Sequence, residues 1–223
     1  MKRLLLIMIL STATLLAACE SEYNRENPLT PTQGKAEELM NGYDGHIDMT
    51  AFLETVQQGV WLFDTLDITY TNGETYDGIK DGSREISPMM LLPGGECRVF
   101  LRLMFNPLIP MLYQKIEWSV SEQQANTLEL YSEEIERSAE TTHYDQYAAR
   151  TTLELLYYQD GIFIMKGMQP FAYGGGMTSQ GIYKDYCTIV GHIATDKETV
   201  EKYRACEFYD EYRAQHPDQF PDR

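Results

Sequence analysis

Four ionisable side chains stand in stretches whose two-residue period could turn them toward a pocket: Asp64, Asp67, Glu85 and His192. A carboxylate and an imidazole converging there would serve general acid–base chemistry, which needs both within reach of one reacting atom. No spacing links any two of them as a working pair. His192 shares a face with Tyr186, Thr188 and Val190, the pattern of a surface or rim histidine. Neither Gly-x-Ser-x-Gly nor His-Glu-x-x-His occurs. The histidines at 46, 143, 192 and 216 lack metal-ligand spacing, and there is no Cys-x-x-Cys. The sequence therefore assigns no catalytic residue, no metal site and no cofactor, and it favours a non-catalytic role.

Binding is the other chemistry on offer. Trp61, Phe63, Trp118 and Phe163 fall at inward positions of apolar, alternating stretches. Aromatic side chains so placed line an apolar cavity or fill a core. Trp61 and Phe63 share parity with Thr65 and Asp67, so either the interior turns polar toward one end or a bulge switches faces midway. Tyr173 stands in Phe171-Ala172-Tyr173-Gly174-Gly175-Gly176-Met177, which reads as a bent strand connection or as a loop at a pocket mouth. Cys97, Cys187 and Cys206 are an odd number, so at most one pair forms within that set. Cys187 with Cys206 would tie a strand to the following helix; the alternative is three buried thiols acting as small apolar residues.

The best-defined reactive residue is Cys19. Met1-Lys2-Arg3 is a positive start, Leu4 to Leu10 an apolar run, and small residues continue it to Leu16-Ala17-Ala18-Cys19. This resembles the lipobox of bacterial lipoproteins. The resemblance implies a signal peptide over 1–18, cleavage before Cys19, and lipid on that cysteine as the membrane anchor. Residues 19–34 read as a tether. Its acidic start, Glu20 to Glu26, resembles a surface-export signal of Bacteroidetes lipoproteins, and a solvated linker would look the same. The expected address is the outer membrane of the cell envelope, on its periplasmic or its surface face.

The rest, 35–216, reads as one domain before a short tail at 217–223. Ala36, Leu39, Met40 and Tyr43 predict a short amphipathic helix, and a second, capped at Asp48 or Thr50, buries Phe52, Leu53 and Val56. After Gly59 the period changes to two. About eight strands follow, with turns at Pro93-Gly94-Gly95, Gln123 to Asn126 and Gln159-Asp160-Gly161. The stretch 133–149 is polar, either loop or short helix. Thr195-Asp196-Lys197-Glu198 opens a C-terminal helix to about Gln215. The fold class is mainly β: a single antiparallel β-barrel, or two packed sheets, with an N-terminal and a C-terminal helix.

A capped helix running into Gly59-Val60-Trp61, then antiparallel strands and a final helix, resembles the lipocalin plan, and more closely the lipocalin-like lipoproteins of Bacteroidetes. The resemblance implies that Trp61 packs across the base of a barrel. The Arg that accompanies it in lipocalins has no counterpart in Ile193-Ala194-Thr195-Asp196.

The 223 residues carry a formal charge of −16, which repels phosphate and excludes nucleic acid as a partner. Two functions remain. One is a membrane-anchored module that binds a small apolar or amphipathic ligand in its barrel. The other is a structural or interaction protein with a filled barrel, docking envelope proteins through its surface.

Overall fold

The change of period at Gly59 marks the first strand of a closed barrel. The computed structural model describes residues 29–69, 75–77, 87–101, 106–132, 150–168 and 186–220. The strands are β1 (Val60–Thr69), β2 (Thr75–Asp77), β3 (Met89–Leu91), β4 (Glu96–Leu101), β5 (Leu112–Val120), β6 (Thr127–Tyr131), β7 (Arg150–Gln159), β8 (Ile162–Met168), β9 (Tyr186–Ala194) and the two-residue β10 (Glu207–Phe208). Eight of them run antiparallel in the order β5-β4-β3-β1-β9-β8-β7-β6, and β6 pairs back onto β5. That closure decides for a barrel against two packed sheets. β2 pairs outside the ring with the end of β1.

Turn chemistry sets the hairpins. Asp160 and Gly161 both have positive φ, 51° and 79°, and form a two-residue loop between Gln159 and Ile162. Turns with both central residues at positive φ match the right-handed twist of the flanking strands. Trp118 N–H donates to the Gly95 carbonyl at 2.8 Å, joining the β3–β4 turn to β5.

Four helices are described: α1 (Pro31–Met40), α2 (Met49–Val56), α3 (Lys197–Arg204) and α4 (Tyr209–Gln215). Asp48 caps α2, its Oδ1 accepting from the Thr50 and Ala51 amides at 3.0 Å each. α2 then drives Phe52 and Val56 into the barrel core beside Trp61 and so closes one end. α1 lies on the outer wall, where Ala36, Leu39 and Tyr43 pack on Tyr157, Ile164 and Val190. α3 covers another part of it, with Val200 and Tyr203 against Val60, Met90 and Phe100.

Two expectations change. The tether does not run to residue 34. Thr30 to Gln33 looks like linker composition, yet it is a helix start, with Thr30 as N-cap and Pro31 in the first turn. The Gln33 amide donates to Thr30 Oγ1 at 3.1 Å and the Thr30 amide to Gln33 Oε1 at 3.0 Å, a reciprocal capping box. The C-terminal helix is also broken after Arg204. Glu207 and Phe208 lie parallel to Leu112 and Tyr113, taking the edge of β5 that β6 does not reach. Phe208 stacks 5.7 Å from Tyr113 under Lys115 Nζ at 4.4 Å, a tertiary partner that overrides helical periodicity.

Candidate functional site: the inner wall and floor of the barrel

Trp61 begins the inner wall. Gly59 makes room for it, since a Cβ there would stand 2.5 Å from Ile193 Cγ2 and 2.8 Å from the Ala194 carbonyl oxygen. Only glycine lets β1 start so close to the end of β9, which gives Gly59-x-Trp61 its physical content. Along β1 the register with β9 shifts between Phe63, opposite Gly191, and Thr65, opposite Val190. The bulge therefore falls at Asp64. It is the second of the two alternatives that the parity of β1 allowed: Trp61 and Phe63 point inward, Leu66 joins them from the next turn of the wall, and Thr65 and Asp67 pass to the outer face.

Three of the five aromatic candidates meet at the α2 end. Ring centroids of Trp61 and Phe163 are 5.2 Å apart, Phe63 and Phe163 6.0 Å, and Trp61 and Phe63 6.3 Å. Phe52 from α2 adds contacts to Trp61 at 5.7 Å and Tyr158 at 5.1 Å. These tilted and edge-on arrangements suit aromatic quadrupoles. Gly191 is part of the same packing, as a Cβ there would come within 2.7 Å of Phe163 Cζ. Trp118 belongs to the wall but stands apart from this group, half-buried, with its indole N–H donated to the Leu92 carbonyl at 2.9 Å. Tyr173, Glu85 and Cys19 lie outside the described residues.

Higher on the wall stand Met89, Leu91, Cys97, Leu128, Leu130, Leu153, Met165, Cys187 and Ile189, each 2 % exposed or less. Two inner polar atoms are buried without a hydrogen-bond partner, Trp61 Nε1 and Thr151 Oγ1. Both residues would be satisfied by an acceptor or a hydroxyl partner inside the barrel.

The acid–base candidates do not enter. Asp64, at the bulge, and His192 meet on the outside, with Nδ1 3.0 Å from both carboxylate oxygens and both side chains about half exposed. Asp67 is buried, but under α1 on the outer wall. Among the described residues, no three His, Cys, Asp or Glu side chains converge as metal ligands.

The proposed Cys187–Cys206 pair is not formed. Cys187 points into the barrel and Cys206 packs in the outer cluster beneath α3, so the sheet stands between them. Burial pushes the Cys97 thiol far above its ordinary range, with Glu96 adding to the shift, and burial also raises Cys206 against the opposing charge of Lys202. Neither thiol is a ready thiolate.

A groove of about 630 Å³ lies along β5, lined by Glu96, Lys115, Glu117, Trp118, Phe208 and Asp210 among others. Beside it the Arg98 guanidinium sits 4.5 Å over the Tyr113 ring and bonds Glu96 at 2.8 Å. The recess is hidden in the sequence because Glu207 and Phe208 of β10, which forms one side of it, fall within helical spacing. The sequence reading also misses the site of Asp67. The signal for that was available in Thr30-x-x-Gln33, which places a helix start where a tether was expected.

No protein family matches the chain, and no curated protein matches it.

Proposed function

We propose that the chain is an exported lipoprotein held to the outer membrane through lipid on Cys19, and that its barrel is a packed, non-catalytic scaffold that docks envelope proteins through its outer surface. One observation carries the second part. Trp61, Cys97, Leu153, Phe163, Met165 and Cys187, spread over the height and circumference of the inner wall, have no exposed surface. An eight-stranded barrel has room either for its own side chains or for one small ligand, and a cavity that held a drug-sized molecule would leave such atoms bare. The anchoring part rests on Leu16-Ala17-Ala18-Cys19 after a positive, apolar start. Membership among the lipocalin-like lipoproteins of Bacteroidetes is the family reading we infer, supported by Gly59-x-Trp61 at the plugged end of a closed barrel.

A second reading keeps a small amphipathic ligand in the barrel. Trp61 Nε1 and Thr151 Oγ1 favour it, because a buried donor left without a partner costs about 1–3 kcal/mol. Native mass spectrometry of the protein purified from its own host separates the two. A single mass matching the bare polypeptide and its lipid supports the packed scaffold, and crosslinking in cells should then recover envelope proteins. A reproducible extra mass lost on denaturation overturns it in favour of the ligand.

A further inference from the structure

Asp67 is 2 % exposed on the outer face of β1, beneath the first turn of α1. The Thr30 hydroxyl donates to its Oδ2, and the same hydroxyl oxygen accepts the Gln33 amide that caps the helix. One side chain thus starts α1 and fastens it to the barrel. Thr32, the one buried residue of α1, has no exposed surface. Its hydroxyl lies beside the Asp67 carboxyl, near enough to favour the charged form but outside hydrogen-bond geometry. Thr65 stands on the same outer face, two residues before Asp67. Three buried oxygens, Thr32 Oγ1, Thr65 Oγ1 and Asp67 Oδ1, are left without partners.

A carboxylate only accepts hydrogen bonds, whereas a carboxylic acid donates one and a hydroxyl accepts. A proton on Oδ1 would therefore turn Asp67 into a donor to a threonine oxygen while Oδ2 keeps the bond from Thr30. A small cation fits less well, because the positive end of the α1 dipole faces the same spot. The same dipole end favours a negative charge on Asp67, but burial and the neighbouring Asp77 oppose it. Asp77 of β2 is the direct register partner of Asp67 on one side, and Thr188 of β9 is its partner on the other. The charged residues of α1 are exposed, with Lys35 and Glu38 paired to each other at 3.0 Å and Glu37 in solvent.

We propose that the protonated side chain of Asp67 latches α1 onto the barrel, and that its ionisation loosens the helix from the wall and uncovers Tyr157, Ile164 and Val190. Burial, opposed by the hydroxyls of Thr30 and Thr32 and reinforced by Asp77, holds the Asp67 carboxyl above its ordinary range. The docked helix then binds the proton more tightly than the undocked one. Docking is fully supported below the undocked pKa of about 4 and weakens as pH rises through the higher docked value.

Hydrogen exchange on the full-length protein tests this, comparing residues 33–43 at about pH 4.5 and about pH 8 after correction for the intrinsic rate. Protection of α1 should fall roughly threefold or more at the higher pH while β8 and β9 stay protected. Asp67→Asn, which carries no charge, should keep α1 protected at both pH values. Equal protection of wild-type α1 at both would overturn the latch. So would an Asp67→Asn protein with intact β8 and β9 but an unprotected α1, which would make the ionised carboxylate the anchor. If Asp67→Asn also loses β8 and β9, the wild-type comparison decides alone.

Discussion

Gly59 and Ile193 sit so close that the α-hydrogen of the glycine occupies the place where any other residue would carry a methyl 2.5 Å from Ile193 Cγ2. The contact joins the entrance of β1 to the exit of β9. Gly59→Ala must push β1 and β9 apart or force Ile193 from its rotamer. Overpacking of this kind costs about 1–3 kcal/mol, and the Ala194 carbonyl on the other side leaves little room to yield. Urea unfolding should place the variant in that range; a loss below about 0.5 kcal/mol would show that the ends of β1 and β9 give way freely.

Trp61 separates packing from hydrogen bonding. Trp61→Ala should cost about 3–5 kcal/mol through the void it leaves beside Phe52 and Phe163. Trp61→Phe also loses volume but removes the buried Nε1–H that has no acceptor, so its cost should stay under about 2 kcal/mol. Denaturation of both variants checks the difference. Equal losses would mean that the indole N–H is bonded in the native protein, which would strengthen the reading of a molecule held in the barrel.

Thiol labelling should follow burial. Cys206 is half-exposed and Cys97 and Cys187 are buried, so a maleimide should modify Cys206 first and reach Cys97 and Cys187 only on unfolding. Peptide mapping without reductant should find no Cys187–Cys206 bridge, because the barrel wall lies between them. Recovery of that bridge would contradict the placement of β9 and α3.

Asp196 gives a pH dependence of opposite sign to Asp67. Its carboxylate accepts the Thr199 amide at 2.9 Å as the N-cap of α3, and that bond holds its pKa below the ordinary value. A depressed carboxyl contributes stability above its unfolded pKa and loses it as pH falls through the folded one. α3 should therefore fray on acidification below about pH 4, the range in which α1 is held best. Asp196→Asn should retain the cap and flatten this dependence, whereas Asp196→Ala should fray α3 at neutral pH. Exchange of the α3 amides reads both.

What the chain spelled out locally is what its structure kept. The Asp160-Gly161 loop and the Asp48 cap each act within a few residues, and each appears where expected. The convergence of Trp61, Phe63 and Phe163 was legible for the same reason, since parity along a strand fixes which face a side chain takes. The parity of β1 allowed a bulge without deciding for it or placing it at Asp64, because a bulge depends on the partner strand and β9 lies more than a hundred residues away. The same holds for Glu207 and Phe208, whose strand state exists only against Leu112 and Tyr113. For Asp67 the parity of β1 left two faces open, and the bulge selects the outer one; the helix that covers it there is hidden in tether-like composition.

The pairing of Val60 with Ala194 has a further consequence, for the order in which the molecule can be assembled. The seven strands from β3 to β9 form one meander of neighbours, but β1 must wait for β9 to complete its second edge. A chain delivered from its N-terminus holds β1, which carries Trp61 and Phe63, with one side open until nearly the whole domain has arrived. Such high contact order makes ring closure a late and slow event. Truncation before Tyr186 should then yield sticky, open-edged sheets, not a smaller barrel.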